Sequence, residues 1–473
     1  MRLNDTPGWK CGQLAGYRGR ERALVAAFHT SEGVSGAMSE TQTFQQRFQD
    51  YALEPVPDAK RRGLFSTITV FCGWVVTTTP FLVAGLLAAG LTFWTALLVL
   101  LVGTVITATV GALVAYLGQT TGLTSYYMSR IVYGAKGSSI VSVMVGVLAV
   151  GFLGVVASFL GAIFNSDVPF VPTQVASVVF ILVSGYVALV GYRGLSIVGR
   201  AIVPLLWALA LFSLWRVADA AGGLAHVLGV QPKGTLDFGV AVTIVVADWV
   251  TGATFCADIA RYSAKPRYVV AAAYMGWVVT YSLLAVMALV AYYGTGTSDV
   301  IALLTQLGLV VAALFIFVLG LITSVDVNLY SFSLALTNLS DAFGLRQLGR
   351  PVWIVVGAIL AALISLLGYA ETFLPFLLTV GTLVPAFAGV VLAHYYILGA
   401  RRQSANDLIA RIEPGVRWTG VISLVGGIAV AFFIKAGIPA LQGLIAAAIL
   451  YTALEMLYAR IERAAESPRM ANP

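Results

Sequence analysis

Long apolar stretches follow one another from Gly63 to about residue 460, separated only by short polar breaks. A helix needs about 20 apolar residues to cross a bilayer, and the sequence holds twelve stretches of that kind. Their approximate bounds are 65–89, 93–117, 139–164, 171–190, 196–215, 238–260, 267–293, 303–336, 352–369, 371–397, 418–434 and 439–459. The sequence therefore predicts an all-α polytopic membrane protein with twelve transmembrane helices.

Composition supports this prediction. Hydrophobic residues make up 59% of the 473 residues and charged residues only 10%, with a mean hydropathy of +0.91. An average soluble domain is about 45–50% apolar and about 25% charged. These values exclude a soluble globular protein and a disordered chain. A disulfide scaffold is also excluded, because Cys11, Cys72 and Cys256 are far apart in the sequence.

The positions of Lys and Arg predict how the chain is oriented. If the N-terminus is cytoplasmic, 19 of the 22 basic residues from Lys60 onward fall in inner loops or the inner tail. Only Arg216, Lys233 and Lys435 then lie outside. Because basic residues favour the cytoplasmic side, we expect a protein of the inner (plasma) membrane with both termini in the cytoplasm. The net charge of +7 then reflects topology, so the expected partner is the lipid bilayer, with no nucleic acid and no obligate protein partner.

The N-terminal region differs from the rest of the chain. Residues 1–57 are predicted to be a disordered cytoplasmic tail, because this stretch shows no periodic apolar face. Residues 1–37 also lack the continuous apolar core of a signal peptide. We expect Met38 to be the true start of the protein; the alternative is that residues 1–37 belong to the cytoplasmic tail.

Two spans carry polar or small residues at corresponding places. At an offset of 175 residues, Trp74 matches Trp249 and Thr79 matches Thr254. Pro80 lacks an N–H and disrupts a helix, and Gly252 weakens one. Broken helices at equivalent places in two repeats are typical of the midplane binding site of a transporter. An ordinary proline kink in a packing helix is the alternative.

Three carboxylates lie in apolar surroundings, where a charge costs about 2.5–3.5 kcal/mol on insertion scales. Asp248 is expected on the break of the sixth span, where it would accept from the N–H groups of a ligand. Asp258 is expected to pair with Arg261, three residues further on. Asp326 is either part of a structural polar cluster or a cavity residue, and the sequence leaves both open.

Aromatic side chains suit a flat ligand. Trp249 stands next to Asp248, and Phe152 lies between Gly151 and a further glycine two residues on, which allow a ligand or another helix to come close. Packing inside the bundle is the alternative role for each aromatic residue.

Several motifs resemble the nucleobase:cation symporter family, the purine-cytosine permease group. They are the stretches 55–63, 121–124 with Arg130, 134–138 and, most clearly, Ala257-Asp258-Ile259-Ala260-Arg261-Tyr262. The similarity runs from about residue 55 to 460 and is closest to the cytosine permease branch.

This resemblance implies a leucine-transporter-like fold of two inverted five-helix repeats plus two extra helices. The repeats would span residues 58–216 and 217–397, helices 11 and 12 would span 398–460, and a cytoplasmic tail would follow at 461–473. Substrate would lie between the aromatic residues Phe152 and Trp249, with Asp248 and Thr77 also in the binding site.

The resemblance also implies a sodium site. Its ligands would be carbonyl oxygens of Gly73, Val76 and Gly320 and the hydroxyls of Thr323 and Ser324. Such oxygen ligands suit a hard cation. No cofactor is expected besides the coupling ion, which is sodium or a proton; in the latter case Asp248 or Asp326 would carry the proton.

The chain departs from the cytosine permease pattern at three positions of the expected site. Ala149 replaces a glutamine, Val325 replaces an asparagine and Asp248 replaces a serine. Two amide groups that would read a pyrimidine edge are lost and a carboxylate is gained. These residues remain candidates for substrate binding, but for a substrate richer in hydrogen-bond donors than cytosine.

These observations predict a secondary active transporter that imports a nucleobase or related nitrogen heterocycle by cation symport and alternating access. The alternative is an amino acid, polyamine or vitamin-precursor transporter of the same fold, and a channel or receptor is less favoured. We expect no enzyme activity, because the sequence has no HExxH, GxSxG or Walker motif.

Overall fold

The structure is a computed structural model that describes residues 50–77, 79–167, 169–220, 222–296, 308, 320–345, 347–367, 373–434 and 437–470; the side chains of residues 320–326 are outside this description. Within these residues the protein is almost entirely helical. The first helices are α1 Leu64–Val75, α2 Thr79–Gly90, α3 Phe93–Thr121, α4 Ser125–Tyr133, α5 Ser138–Asp167, α6 Thr173–Val190, α7 Tyr192–Ala220 and α8 Leu224–Gly229.

The helices that follow include two π-helical stretches. The α-helices are α9 Phe238–Phe255, α10 Ala257–Ala260, α11 Pro266–Tyr274, α12 Ser282–Thr295, α13 Gly320–Ala342, α14 Arg350–Leu366, α15 Phe373–Leu383, α16 Pro385–Leu392, α17 Ala405–Ala410, α18 Trp418–Phe433 and α19 Pro439–Met470. Met275–Tyr281 joins α11 to α12 as a π-helix, and Ala393–Ile397 extends α16 in the same way.

The protein is an integral membrane protein. In the part of the chain that the structure describes, eight helical stretches are long and apolar enough to cross a bilayer, and the bent pair α1–α2 makes a ninth. Helices α14 and α18 are apolar but shorter. The all-helical class is therefore confirmed, while the count of twelve spans and the two repeats stay predictions.

The first span is broken, as its sequence predicts. Helix α1 ends at Val75, the N–H of Val76 closes a turn onto the carbonyl of Gly73 at 3.2 Å, and α2 starts at Thr79 at an angle of 56° to α1. Pro80 lies in the first turn of α2, where a missing N–H leaves no helical hydrogen bond unmade.

The sixth span is not broken where the sequence suggested. Helix α9 runs without interruption through Asp248 and Gly252 and ends at Phe255, so the chain departs from it only at Cys256. The predicted break at Asp248 and Gly252 was wrong. A single glycine weakens a helix by about 1 kcal/mol without ending it. Here its role is to provide space, because a Cβ on Gly252 would lie 2.8 Å from Cε3 of Trp249.

Two segments predicted to be tails differ from that prediction where the structure describes them. Ala52 and Val56 are buried, and the N–H of Val56 donates to the carbonyl of Gly122. A disordered tail over 1–57 is therefore wrong for residues 50–57; residues 1–49 lie outside the described part. At the other end, α19 continues to Met470, past the predicted limit of 460, because Ala, Glu and Arg there favour helix.

Candidate functional site

A cavity of about 70 Å³ lies between helices α1, α5, α9, α13 and α15. Its walls are mostly apolar and aromatic, and they include Trp74, Ala149, Phe152, Asp248, Trp249 and Ser331. Small-molecule sites typically combine such walls with a few polar groups at fixed positions. Among the described residues that line the cavity, Asp248 is the one charged side chain.

Only one of the two carboxylate oxygens of Asp248 accepts hydrogen bonds from the described residues. Its Oδ2 accepts hydrogen bonds from the hydroxyl of Thr79 at 2.9 Å and the hydroxyl of Tyr281 at 2.8 Å. Each hydrogen bond to an ionised group contributes about 1.5–3 kcal/mol, which offsets part of the cost of burying the carboxylate. Asp248 is 6% exposed, and its Oδ1 is buried with no hydrogen-bond partner among the described residues.

The hydroxyl of Tyr281 reaches Asp248 from the last residue of the π-helix Met275–Tyr281. Within this stretch, the Thr280 hydroxyl donates to the carbonyl of Met275 five residues earlier, and the indole N–H of Trp207 donates to the Thr280 hydroxyl. A π-helical turn changes which residues face a neighbouring helix, and such turns are frequent at functional sites. Here Tyr281 and Trp277 both meet the residues around the cavity.

Three tryptophans pack against one another beside the cavity. The ring of Trp74 meets Trp249 edge to face with 5.4 Å between centroids, and Trp277 lies 6.3 Å from Trp74 and 6.5 Å from Trp249. Such contacts add roughly 0.5–1.5 kcal/mol each beyond burial. Gly111 makes room for this cluster, since a Cβ there would collide with the ring of Trp277. The cluster fixes Trp249 at the cavity wall.

Three further buried polar atoms at the cavity lack a hydrogen-bond partner among the described residues. They are the indole Nε1 of Trp249 and the hydroxyl oxygens of Thr251 and Tyr126, and all three residues line the cavity. Buried polar groups are nearly always paired, so unpaired ones at a cavity are available to its occupant. Oδ1 of Asp248 needs a donor, whereas Nε1 of Trp249 needs an acceptor.

The structure brings together four of the predicted substrate-binding residues. Ala149, Phe152, Asp248 and Trp249 all line the cavity. Thr77 is not among the described residues that line the cavity wall. It is buried, and its hydroxyl shares a hydrogen bond at 2.9 Å with the hydroxyl of Thr79, which in turn donates to Asp248. Its predicted contact with substrate stays a prediction, and in the structure its hydroxyl supports Thr79.

The remaining predicted residues fall largely outside what the structure describes. The side chains of Val325, Asp326, Thr323 and Ser324 lie outside the described residues, and Gly320 is the first described residue of α13. The carbonyl of Gly73 accepts from the Val76 N–H at the end of α1. The sodium site therefore stays a prediction.

A second buried carboxylate, Asp258, is fully paired. Its Oδ1 accepts from the backbone N–H of Ser125 at 2.8 Å, and its Oδ2 accepts from the hydroxyl of Ser331 at 3.2 Å. The expected ion pair with Arg261 was wrong. Arg261 instead donates to the Asp258 carbonyl, the carbonyls of Asp50 and Tyr51, and the hydroxyl of Tyr330.

The residues around Arg261 form one end of the helix bundle, here termed the Arg261 end: Asp50, Tyr51, Arg261, Tyr262 and Tyr330. The carboxylate of Asp50 accepts from the Tyr330 hydroxyl at 2.9 Å and from the N–H of Tyr192 at 3.0 Å. Gly191 has a φ of +75°, and a Cβ there would lie 2.5 Å from Oδ2 of Asp50. The glycine thus satisfies both the backbone and the space that this contact requires.

Sequence reasoning missed several residues of the site. Thr79 lies in the threonine run next to Pro80, which was a usable signal, but its contact with Asp248 was not foreseen. Tyr281, Thr251 and Ser331 carry no motif. The position of Tyr281 depends on a π-helix, which leaves no recognisable pattern in a single sequence.

The comparison with known families decides the identity at family level. Residues 55–459 match the family described as permeases for cytosine/purines, uracil, thiamine and allantoin. The chain belongs to this family. This match confirms the resemblance drawn from the motifs at 55–63 and 257–262. Members of the family are permeases and not enzymes.

Two relatives illustrate the range of the family. The cytosine permease of Escherichia coli (strain K12) is 26% identical over 431 residues, covering 89% of this chain and 98% of the relative. The allantoin permease of Bacillus subtilis (strain 168) is 22% identical over 426 residues, covering 81% of this chain and 85% of the relative. Sequence similarity therefore extends over nearly the whole membrane part of the permease.

Solved structures show the same fold. The nucleobase-cation-symport-1 transporter Mhp1, closed with bromovinylhydantoin bound, superposes with a TM-score of 0.76 at 18% identity, covering 87% of this chain and 96% of that chain. A Na⁺-coupled sialic acid symporter gives 0.63 at 12% identity, covering 89% and 96%. The permease therefore has the fold of these symporters.

Proposed function

We propose that this permease imports a nucleobase or related nitrogen heterocycle across the inner membrane by cation symport. The observation that carries the proposal is the cavity, in which Phe152 and Trp249 supply aromatic walls and Asp248 supplies a polar group. Family membership supports the same substrate class. Base stacking on an aromatic side chain contributes roughly 1–3 kcal/mol per base, so these two rings are the proposed sandwich for the heterocycle.

Alternating access provides the proposed mechanism. The two halves 58–216 and 217–397 would rock around the cavity, with residues 398–460 as additional helices and 461–473 as a cytoplasmic extension. The broken span α1–α2 supports this proposal, since interrupted helices near the midplane are typical of such transporters. The excess of basic residues in the predicted inner loops supports cytoplasmic termini.

Sodium or protons would drive uptake. The proposed sodium ligands are the carbonyls of Gly73, Val76 and Gly320 with the hydroxyls of Thr323 and Ser324. The break between α1 and α2 supports the carbonyl part, because irregular backbone at membrane depth is typically found where it lines a cavity or a binding site. Sodium should then stimulate uptake. Replacing both Thr323 and Ser324 by alanine should abolish this stimulation while the protein still folds. Uptake that ignores sodium but collapses with a protonophore would assign coupling to the proton.

The test of the proposed function is saturable counterflow in proteoliposomes loaded with unlabelled base. Labelled cytosine, adenine, uracil or hypoxanthine should accumulate transiently, which a channel or receptor does not produce. Trp249→Ala should weaken binding on the order of tenfold, the equivalent of roughly one lost stacking contact. Trp94→Ala is the matched control, because Trp94 is 63% exposed at the start of α3. Failure of every base, with counterflow of an amino acid, polyamine or vitamin precursor instead, would refute the proposal.

A further inference from the structure

The two oxygens of the Asp248 carboxylate have different surroundings. Oδ2 accepts from two hydroxyls, those of Thr79 and Tyr281, and Oδ1 accepts from none. The Thr79 hydroxyl is itself joined to the Thr77 hydroxyl at 2.9 Å, and Tyr281 is the last residue of the π-helix Met275–Tyr281. The carboxylate is thereby fixed in orientation, with one oxygen left for a partner that the described protein residues do not supply.

The described cavity wall holds no basic side chain that would neutralise Asp248. None of the described residues donates to Oδ1, so a hydrogen-bond donor on the occupant of the cavity is the partner that fits it. An amino group on a heterocycle is such a donor. A carbonyl at the same ring position is an acceptor, and it would place a second oxygen lone pair against a carboxylate.

We propose that Asp248 is the residue that makes this permease select amino-substituted heterocycles over their oxo counterparts. The inference rests on the proposed function, since it assigns a chemical preference to the same cavity. The amino group would donate to Oδ1 of Asp248, while the ring lies against Trp249. A site that hydrogen-bonds one substituent rejects analogues that cannot make the bond, because a buried polar group is then left unpaired.

The fixed orientation of the carboxylate leads to a specific expectation for Asp248→Asn. Thr79 and Tyr281 both donate, so the amide oxygen of the asparagine takes the place of Oδ2 and its NH₂ group takes the place of Oδ1. The group facing the cavity then changes from an acceptor to a donor at nearly unchanged shape. The preference of the site should therefore be inverted and not merely lost.

The experiment uses two series of bases that differ in one exocyclic substituent and, for the oxo members, in the proton on the adjacent ring nitrogen. In the purine series, adenine carries an amino group, purine a hydrogen and hypoxanthine an oxo group. In the pyrimidine series, cytosine, pyrimidin-2-one and uracil carry the same three substituents in the same order. Binding to the purified full-length permease is measured by calorimetry. For the wild type, we expect the affinity to be highest for the amino base, lower for the hydrogen base and lowest for the oxo base, with about tenfold or more between the extremes. Asp248→Asn should reverse the order, and Asp248→Ser should bring the three affinities within about threefold of one another.

The matched control is Asp237→Asn. Asp237 caps the N-terminus of the same helix, α9, where its exposed carboxylate accepts from the N–H of Val240. Asparagine caps helices as well as aspartate does, so this variant makes the same chemical change without touching the cavity. It should keep the wild-type order in both series.

The outcomes separate this inference from the proposed function. If bases bind but the wild type shows no amino preference, the assignment of Asp248 is overturned while the proposed function stands. The same holds if Asp248→Asn folds, as judged by its elution and melting profile, and keeps the amino preference. If Asp248→Asn does not fold, the wild-type order and Asp248→Ser decide. If no base of either series binds or exchanges, the proposed function falls and this inference falls with it.

Discussion

Asp248 and Asp258 lie ten residues apart, on α9 and α10, and both are buried in an apolar region. They differ in how the protein pairs them. Asp258 has a donor on each oxygen, from Ser125 and Ser331, whereas Asp248 has both donors on one oxygen. A fully paired buried carboxylate holds elements together, while a half-paired one at a cavity is available to a ligand. Residue type and burial therefore do not distinguish the two roles, but the pairing does.

The largest expected effect on stability comes from Asp258→Ala. The substitution leaves the N–H of Ser125 and the hydroxyl of Ser331 without an acceptor, and each lost bond to a charged group costs about 1.5–3 kcal/mol. The free energy of unfolding should fall by about 3 kcal/mol or more. Asp248→Ala also removes two such bonds, but it relieves the burial of an unpaired oxygen and should therefore cost less. Melting of the two variants side by side in the same detergent measures the difference, and equal losses would contradict the distinction between them.

Gly252→Ala should affect the cavity without touching a polar group. A Cβ at this position lies 2.8 Å from Cε3 of Trp249 and 3.3 Å from the ring of Trp74, so the Trp249 ring must shift. Base binding should weaken on the order of tenfold, which corresponds to losing one stacking contact. Gly185→Ala is the control, because its nearest atom is 3.6 Å away on Leu329. Equal affinities in the two variants would mean that Trp249 is not a binding surface.

A smaller effect is expected at the Arg261 end. Asp50→Ala removes the acceptor for the Tyr330 hydroxyl and the Tyr192 N–H, and should lower the melting temperature by a few degrees. It should leave the ranking of bases unchanged. Asp58→Ala is the control, since that carboxylate is 96% exposed and pairs only with Arg61 among the described contacts. A changed ranking in Asp50→Ala would link this end directly to specificity.

The smallest effect is expected from removing residues 1–37. This segment shows no periodic apolar face, so its deletion should leave uptake rate and affinity unchanged within about twofold. Uptake by the shortened and full-length proteins is compared at equal membrane expression. A loss of transport would show that the segment has a role.

The spans were predictable because each needs about 20 apolar residues. The predicted span 171–190 corresponds to α6, Thr173–Val190. The predicted span 93–117 corresponds to α3, Phe93–Thr121, which is four residues longer at its end. Aromatic residues beside a carboxylate also marked Trp249 and Asp248 correctly as cavity residues. These features are local in the sequence.

Features that depend on packing between distant segments were not predictable. The sequence suggested a break at Gly252, but the glycine instead makes room for the rings of Trp249 and Trp74. It suggested an ion pair of Asp258 with Arg261, but Arg261 turns to the carbonyls of Asp50 and Tyr51, about 210 residues earlier. The partner Tyr281 is positioned by a π-helix. Trp74, Asp50 and Tyr281 all come from other segments of the chain, so these contacts leave no local pattern in the sequence.

The most direct measurement is an experimental structure of the permease with adenine or cytosine bound. The account predicts the ring between Trp249 and Phe152, with the amino nitrogen about 2.7–3.2 Å from Oδ1 of Asp248 and the hydroxyls of Thr79 and Tyr281 still on Oδ2. A base bound with its amino group turned away from Asp248, or an Asp248 paired with a protein cation, would contradict it.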